Sequence, residues 1–174
     1  RDETLHRAAF TDRPDYLKAK ERGLAGGNPW PVEYGPELSR GFRALKVWAQ
    51  LAEFGTERLG QMITRNCYQA SYLGEQVART PGLELLAPVA LNICCFRHVV
   101  DGLPGPVLDA MNDEIVIQLQ EQGIAAPSTT QLNGRTAIRV NITNHRTARK
   151  DLDILLTEIV RIAASPDVAA VREA

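Results

Sequence analysis

The pair Asn133-Gly134 constrains the fold of this 174-residue chain more than any other feature of its sequence. It stands between two short stretches with the composition of β-strands, 128–132 and 135–142. Asn-Gly is the strongest short-range signal for a two-residue hairpin turn, because both residues accept the positive φ that this turn needs. The pattern predicts two antiparallel strands, and therefore a sheet that is at least partly antiparallel.

Two further strands and two helices are predicted around this hairpin. The runs 83–87 and 91–99 are rich in apolar residues and bounded by turn residues, as is typical of strands. Apolar residues at spacings of three and four predict helices over 105–122 and 151–164. The order β-β-α-β-β-α predicts an α+β fold, with a mostly antiparallel sheet and its helices on one face.

Two consecutive helices are predicted before the sheet. Pro36 suits the first position of a helix, where a missing N–H group costs nothing, and Gly55 suits the left-handed residue that ends one. These signals predict one helix over 36–54 and a second over 56–80. The residues before them contain many glycines and prolines and show no clear period, which predicts a long loop.

The composition argues against several classes of function. A net charge of −1 gives no basic surface for nucleic acid, and no apolar stretch approaches the roughly 20 residues that a membrane helix needs. The cysteines Cys67, Cys94 and Cys95 form no Cys-x-x-Cys pair and the histidines are scattered, so no metal site is predicted. Unpaired thiols favour a reducing compartment and hence a cytoplasmic location.

Three stretches of the chain carry a resemblance to a known enzyme family. They are Ser-Arg-Gly-Phe-Arg-Ala-Leu-Lys-Val-Trp (39–48), Asn-Ile-Cys-Cys-Phe-Arg (92–97) and Arg-Thr-Ala-Ile-Arg-Val-Asn-Ile-Thr-Asn-His-Arg-Thr (135–147). In this order and spacing they resemble the C-terminal portion of the group II pyridoxal-phosphate-dependent amino-acid decarboxylases, and of the aromatic-L-amino-acid decarboxylases in particular. The resemblance covers nearly the whole chain.

The resemblance implies the aspartate-aminotransferase-like fold (fold type I), in which a large domain holds pyridoxal 5′-phosphate and a small C-terminal domain closes the site. It divides the chain into the active-site loop and end of the large domain (1–35), linking helices (36–80) and the α+β small domain (81–174). The chain begins with arginine instead of methionine, and the lysine that carries the cofactor is expected upstream of Arg1. No cofactor-binding residue is therefore assigned, and Lys46 resembles a helix lysine of the family, not the cofactor lysine.

Tyr16 is the catalytic residue that the resemblance implies. It lies in Pro-Asp-Tyr-Leu-Lys (14–18), similar to a mobile loop of the aromatic-amino-acid decarboxylases whose tyrosine protonates the carbanion left after carbon dioxide departs. A phenol held over the α-carbon of the substrate is a competent proton donor. Related aldehyde-forming enzymes have phenylalanine there, so Tyr16 favours simple decarboxylation; the alternative is a surface tyrosine.

Arg139 is the substrate-binding residue that the resemblance implies. It matches the arginine that grips the substrate carboxylate in glutamate-decarboxylase-like members, and a guanidinium suits this task because its planar fork makes paired hydrogen bonds. The alternative is an arginine of an edge strand that is exposed to solvent or paired with an acidic residue. Arg40 and Arg43 are expected either to form ion pairs at a subunit contact or active site, or to lie on a solvated face. Gly41 stands where many members have another arginine.

These features together predict an enzyme that releases carbon dioxide and an amine from an L-amino acid, with an aromatic substrate favoured. The partners expected are the amino acid, the remainder of the enzyme as an upstream segment or second chain, and a second copy in a homodimer. Two alternatives stay open. One is an aldehyde-forming oxidative deaminase on the same scaffold, and the other is a regulatory or interaction domain without catalysis.

Overall fold

The computed structural model describes residues 2–10, 21, 26–27 and 29–173. The chain forms two compact units, Arg1–Glu53 and Phe54–Ala174. The predicted fold class is confirmed, because helices combine with a four-stranded antiparallel sheet. The division into three parts at residues 35 and 80 stays a prediction. In the described part of the chain, no helix is both long enough and apolar enough to cross a membrane.

The longest helix, α2, runs from Arg43 to Arg79 and bends at Gly55, whose φ of 70° and ψ of 163° are not helical. The two helices predicted on either side of this glycine are therefore present as two segments of one element. The sequence pattern predicted that the first segment begins at Pro36. In the structure it begins at Arg43. Gly41 disfavours helix by about 1 kcal/mol relative to alanine, and its carbonyl oxygen accepts from the Arg43 N–H in a tight turn.

The sheet lies in the C-terminal unit and has the strand order β1-β2-β4-β3, with every neighbouring pair antiparallel. Its strands are β1 (Leu83–Leu85), β2 (Ile93–His98), β3 (Ser128–Leu132) and β4 (Arg135–Asn141). Asn133 and Gly134 have φ values of 51° and 72° and close the predicted hairpin between β3 and β4. Strand β4 is thus an interior strand of the sheet.

Three helices, α3 (Gly105–Glu121), α4 (Arg149–Ala163) and α5 (Pro166–Glu173), complete the C-terminal unit. They share a hydrophobic core with one face of the sheet and with the second segment of α2. The largest fully buried apolar side chains are Phe96, Leu73, Met111, Ile115, Leu119, Ile138, Ile159 and Ile162. Burying a side chain of this size is worth about 1.5–3 kcal/mol, so this unit has its own source of stability.

A buried amide ties α3 to β2 inside this core. The Asn112 side chain is fully buried, and its Oδ1 accepts a hydrogen bond from the His98 N–H at 2.7 Å. Its Nδ2 donates to the carbonyl oxygens of His98 at 2.9 Å and Leu108 at 2.7 Å. Because every polar atom of this amide has a partner, it fixes the end of β2 on the helix without a desolvation penalty.

The N-terminal unit contains the short helix α1 (Glu3–Ala8), a 3₁₀ turn (Pro31–Tyr34) and most of the first segment of α2. Asp2 caps α1, because its Oδ1 accepts from the N–H groups of Thr4 and Leu5. No hydrophobic side chain is buried among the described residues of this unit, whose one buried residue in those ranges is a glutamate. Polar contacts are therefore the main interactions that hold the described residues of this unit together.

Candidate functional site

The charged residues of the candidate site lie on the face of the sheet that points away from the core. Side chains alternate between the two faces of a strand, and Ile138 and Val140 of β4 belong to the hydrophobic core, while Ala137, between Arg135 and Arg139, is also buried but lies outside that core cluster. Arg135 and Arg139 therefore lie on the opposite face. We name this surface the open face, and its residues are Glu84, Cys95, Arg97, Ser128, Arg135 and Arg139.

Two of the three arginines on the open face share one carboxylate. Arg97 on β2 contacts Glu84 on β1 at 2.8 Å through both Nε and Nη2. Arg135 on β4 contacts the same carboxylate at 3.3 Å. Arg97 is only 9% exposed, and a charge this buried would be costly without its partner. The Glu84 carboxylate thus offsets the buried charge of Arg97 and also contacts the half-exposed Arg135, which is a structural role.

Arg139 differs from the other two, because it has no ion pair and no side-chain hydrogen bond within the described ranges. It lies within β4, opposite Cys95 on β2 and Ser128 on β3, and it is partly buried. The alternative that placed Arg139 on an edge strand is wrong, because β4 has a strand on each side. A partly buried guanidinium without a carboxylate is available to an anionic ligand.

The thiols next to Arg139 are neutral near pH 7. Burial raises the pKa of the Cys95 thiol above its usual value, and the charge of Arg139 opposes this shift. Burial also raises the pKa of the neighbouring Cys94 thiol, to about 12. Because the thiolate is the reactive form, neither cysteine is poised as a nucleophile. Cys95 instead presents a small, neutral side chain beside the guanidinium.

The remaining residues singled out by the sequence lie in the N-terminal unit. Tyr16 lies outside the described residues, so its catalytic role stays a prediction. Arg40 donates to the carbonyl oxygen of Pro31 at 2.6 Å, and Arg43 pairs with Glu37 at 2.8 Å. Both partners of the second pair are exposed, and exposed ion pairs contribute only about 0–1 kcal/mol. Arg43 therefore lies on a solvated face of its unit.

The sequence patterns did not single out Cys95 and Ser128, the cross-strand neighbours of Arg139, or Glu84, whose carboxylate contacts Arg97 and Arg135. The signal for Ser128 was available, because a two-residue turn after Leu132 sets Leu132 opposite Arg135 and, counting back, Ser128 opposite Arg139. No comparable signal existed for Cys95. The pairing of β2 with β4 joins segments that are distant in sequence, and only the folded sheet brings Cys95 beside Arg139.

The two lysines of the described residues differ from a lysine that carries a pyridoxal cofactor. Lys46 and Lys150 are the lysines in these ranges, and both are exposed, whereas a reactive lysine is activated by removal from water or by a neighbouring cation. No group of three or more metal-binding side chains is found in the same ranges. The contacts to the aldehyde and phosphate of the cofactor are therefore not assigned to this part of the chain.

Comparison with known proteins matches the pyridoxal-dependent decarboxylase conserved domain to residues 1–99 of the chain. An aromatic-L-amino-acid decarboxylase of Bacillus atrophaeus is 29% identical over 161 residues, which is 92% of this chain and 33% of that protein. The chain thus spans about a third of the length of this relative. The family is pyridoxal-dependent, which confirms the cofactor expected from the sequence.

Two solved structures share the fold. The glutamate decarboxylase domain of a diaminobutyrate-pyruvate transaminase and L-2,4-diaminobutyrate decarboxylase from Vibrio parahaemolyticus superposes with a TM-score of 0.63 and 28% identity, over 69% of this chain and 26% of that one. Rhodiola rosea 4-hydroxyphenylacetaldehyde synthase superposes with a TM-score of 0.67 and 25% identity, over 77% of this chain and 29% of that one. With more than half of its length matched by the family's conserved domain, the chain belongs to the pyridoxal-dependent decarboxylases.

Proposed function

We propose that this chain works within a pyridoxal-phosphate-dependent L-amino-acid decarboxylase, which removes a carboxylate as carbon dioxide and releases an amine. One observation carries the proposal for the described residues. In a chain of this family, Arg139 is a partly buried cation without a carboxylate partner in the described ranges. The cofactor, when bound, supplies the electron sink. The residues of this chain orient the substrate and return a proton.

Arg139 is the residue that we propose to bind a carboxylate of the substrate. Its guanidinium has donors in a planar fork that matches two carboxylate oxygens. Glu84 does not compete for it, because Arg97 and Arg135 already occupy that carboxylate. The cross-strand neighbours Cys95 and Ser128 are both small, so they leave the space beside the guanidinium to a ligand.

Tyr16 is the residue that we propose as the proton donor. Its phenolic O–H would deliver the proton to the α-carbon after carbon dioxide has left, as the resemblance of residues 14–18 implies. A phenol has a pKa near 10 and keeps its proton at neutral pH. This role predicts an amine as the product, because the α-carbon is protonated before oxygen can attack it.

We propose an aromatic amino acid as the substrate class. The Bacillus atrophaeus relative is named for aromatic amino acids, and its match covers most of this chain. The Vibrio parahaemolyticus structure is named for L-2,4-diaminobutyrate, so substrates of both classes belong in the first assay. Side-chain selectivity is therefore a property to be measured on the complete enzyme.

An aldehyde-forming activity is the second candidate function. The Rhodiola rosea structure, named as a 4-hydroxyphenylacetaldehyde synthase, matches this chain as well as the decarboxylase domain does. Such an enzyme consumes oxygen and water and releases an aldehyde, ammonia and hydrogen peroxide along with carbon dioxide. Tyr16 argues for the simple decarboxylase, since related aldehyde-forming enzymes resemble this chain but carry phenylalanine at that place.

The deciding experiment is product analysis of the complete enzyme loaded with pyridoxal phosphate. The substrates are L-phenylalanine, L-tyrosine, L-tryptophan, L-glutamate and L-2,4-diaminobutyrate. Equal amounts of amine and carbon dioxide support the proposal. Aldehyde with ammonia and peroxide supports the second candidate. If neither product forms and no cofactor binds, both enzymatic functions fail and a regulatory or interaction domain becomes the better description.

The role of Arg139 is tested by Arg139→Lys. Loss of a paired, charge-assisted hydrogen bond costs about 1.5–3 kcal/mol, so we expect KM to rise roughly tenfold or more. Arg135→Lys is the matched control, because it lies on the same strand and face but contacts Glu84. A KM that is unchanged by Arg139→Lys, or raised equally by both substitutions, contradicts the role.

A homodimer in the cytoplasm is the assembly and location that we propose. Phe42, Leu45, Trp48 and Leu51 leave 43–74% of their surface exposed on or beside the first segment of α2. A row of large apolar side chains at spacings of three marks a helix face that another surface covers. Sedimentation of the complete enzyme tests the assembly, and a monomer at micromolar concentration contradicts it.

A further inference from the structure

A cavity of about 500 Å³ lies in the C-terminal unit, between the second segment of α2 and the start of α4. We name it the α2–α4 cavity. None of its residues belongs to the open face, and its volume falls within the range of about 300–1,000 Å³ that is typical of small-molecule sites. The polar side chains that define it are Arg65, Tyr68, Gln69, Tyr72, Glu75 and Arg149.

The N-terminus of α4 forms one side of the α2–α4 cavity. Ala148, the N-cap residue, and Arg149, the first residue of the helix, both line it. The first N–H groups of a helix have no partner within the helix, and the methyl side chain of Ala148 has no oxygen that could accept from them. These N–H groups and the helix dipole favour an anion, and phosphate is a common ligand of such ends.

Two arginines add positive charge at the same end of the cavity. Arg65 Nη2 donates to the carbonyl oxygen of Thr147 at 3.4 Å, and the Arg149 guanidinium lies 4.9 Å from the centre of the Tyr72 ring. Neither arginine has a carboxylate partner in the part of the chain that the structure describes. The lining carboxylate, Glu75, lies six residues beyond Gln69 on α2, which is roughly 9 Å along the helix. The end of the cavity near α4 is therefore cationic.

Gln69 supplies an independent sign of a ligand. Its side chain lines the cavity, although the residue is only 6% exposed, and its Nε2 donates to the carbonyl oxygen of Thr147. Its Oε1 has no hydrogen-bond partner among the described residues. Buried polar atoms almost always have a partner, so this acceptor calls for a donor from a molecule in the cavity. A matching ligand therefore combines anionic oxygens with an O–H donor.

We propose that the α2–α4 cavity binds a hydrogen phosphate group, either as inorganic phosphate or as a singly protonated phosphate monoester. Its anionic oxygens accept from the N-terminal N–H groups of α4 and from Arg149 and Arg65, and its P–O–H group donates to Gln69 Oε1. Sulfate and carboxylates match the positive charge but have no proton to donate at neutral pH. The site is independent of the reaction proposed above, because none of its residues takes part in that reaction.

The first test compares inorganic phosphate with sulfate by titration calorimetry on the complete enzyme at neutral pH, with its cofactor in place. The two anions have similar size and shape, but only phosphate carries a proton. We expect phosphate to bind about tenfold more tightly, because it satisfies the buried Gln69 oxygen. Equal affinities, or no saturable binding of phosphate at millimolar concentration, would overturn the site. Tighter binding of glycerol 3-phosphate than of phosphate assigns the site to a monoester, and weaker binding assigns it to inorganic phosphate.

The second test compares Arg149→Met with Arg146→Met. Arg146 is exposed in the same loop but does not line the cavity, so it is the matched control. We expect Arg149→Met to raise the Kd for phosphate about tenfold or more, and Arg146→Met to raise it less than about threefold. Equal increases would overturn the site.

Gln69→Met keeps the length of the side chain and removes the acceptor. It should bring the affinities for phosphate and sulfate within about twofold of each other. A preference for phosphate that survives this substitution would overturn the role of Gln69. Thermal unfolding checks that each variant is folded, and if Gln69→Met is not, the comparison of Arg149→Met with Arg146→Met still decides whether the cavity binds the anion.

Discussion

The two units of this chain reach an ordered structure by different means. The C-terminal unit buries Phe96, Ile138 and Leu119 completely, together with many other apolar side chains from its sheet and helices. The N-terminal unit buries no apolar side chain among its described residues, and its visible contacts are ion pairs, hydrogen bonds and ring edges. Apolar burial is the dominant favourable term in folding, so the C-terminal unit contains the larger source of stability.

The two units are therefore expected to respond differently to substitutions and to salt. A hydrophobic core depends on the volume and shape of its side chains. A unit held by charges depends on single partners, and its exposed pairs weaken as salt screens them. The open face of the C-terminal unit combines both properties, because the core fixes the strand on which the charged Arg139 stands.

The largest effect is expected from Phe96→Ala. Phe96 is fully buried on β2, and removal of its ring should lower the free energy of unfolding by about 3–5 kcal/mol. Phe42, which is 74% exposed, is the matched control, and Phe42→Ala should change that free energy by less than about 0.5 kcal/mol. Urea unfolding followed by far-UV circular dichroism measures both, and equal losses would break the comparison between the units.

Smaller changes in stability are expected from replacing two glycines of α2 by alanine, and the two changes should have opposite signs. Gly55 has a positive φ that side-chain-bearing residues rarely adopt, so Gly55→Ala should destabilise the chain by about 1–3 kcal/mol. Gly60 lies within the second segment with open space around its Cα, so Gly60→Ala should stabilise by about 0.5–1 kcal/mol. Thermal unfolding of the two variants gives the signs, and a stabilising Gly55→Ala would show that the bend is not required.

The smallest effect concerns His98 and pH. Burial, with a lesser effect of the Arg172 charge, lowers the pKa of the His98 imidazole below its ordinary value of 6.5. The unfolded chain therefore binds the proton more tightly than the folded one. The stabilisation is complete above pH 6.5 and is lost as the pH falls through the folded-state pKa.

Urea midpoints measured between pH 8 and pH 5 test this dependence. We expect the midpoint to fall with pH in the parent chain and to fall less in His98→Gln. His145 is exposed, and His145→Gln is the control that should keep the dependence of the parent. A dependence that survives His98→Gln unchanged would assign it to other groups.

Most elements of the C-terminal unit could be predicted from the sequence. Four strands and the helices α3 and α4 were found with ends that differ from the structure by a few residues at most. Their signals are local, since alternation, helical spacing and turn residues act within a few positions. The short helices α1 and α5 were not predicted, because six and eight residues are too few for an apolar period to stand out.

The candidate site could be predicted only in part. Arg139 was singled out, and the structure shows it on an interior strand with no carboxylate partner in the described ranges. The carboxylate that occupies Arg97 and Arg135 comes from Glu84, on a strand whose pairing no local pattern specifies. The proposal depends on the difference between Arg139, which has no carboxylate partner in the described ranges, and Arg97 and Arg135, which share one. The sequence alone could not predict this difference.

The sequence by itself determined the features that depend on a few adjacent residues. Asn133-Gly134 set the turn and the register of its hairpin, and Gly55 set the break in α2, because positive φ belongs to a short list of residue types. Tertiary structure alone decided that β2 is the other neighbour of β4 and which carboxylate pairs with Arg97. Those choices depend on long-range burial and on charges far apart in sequence, whose energies exist only once the chain has folded.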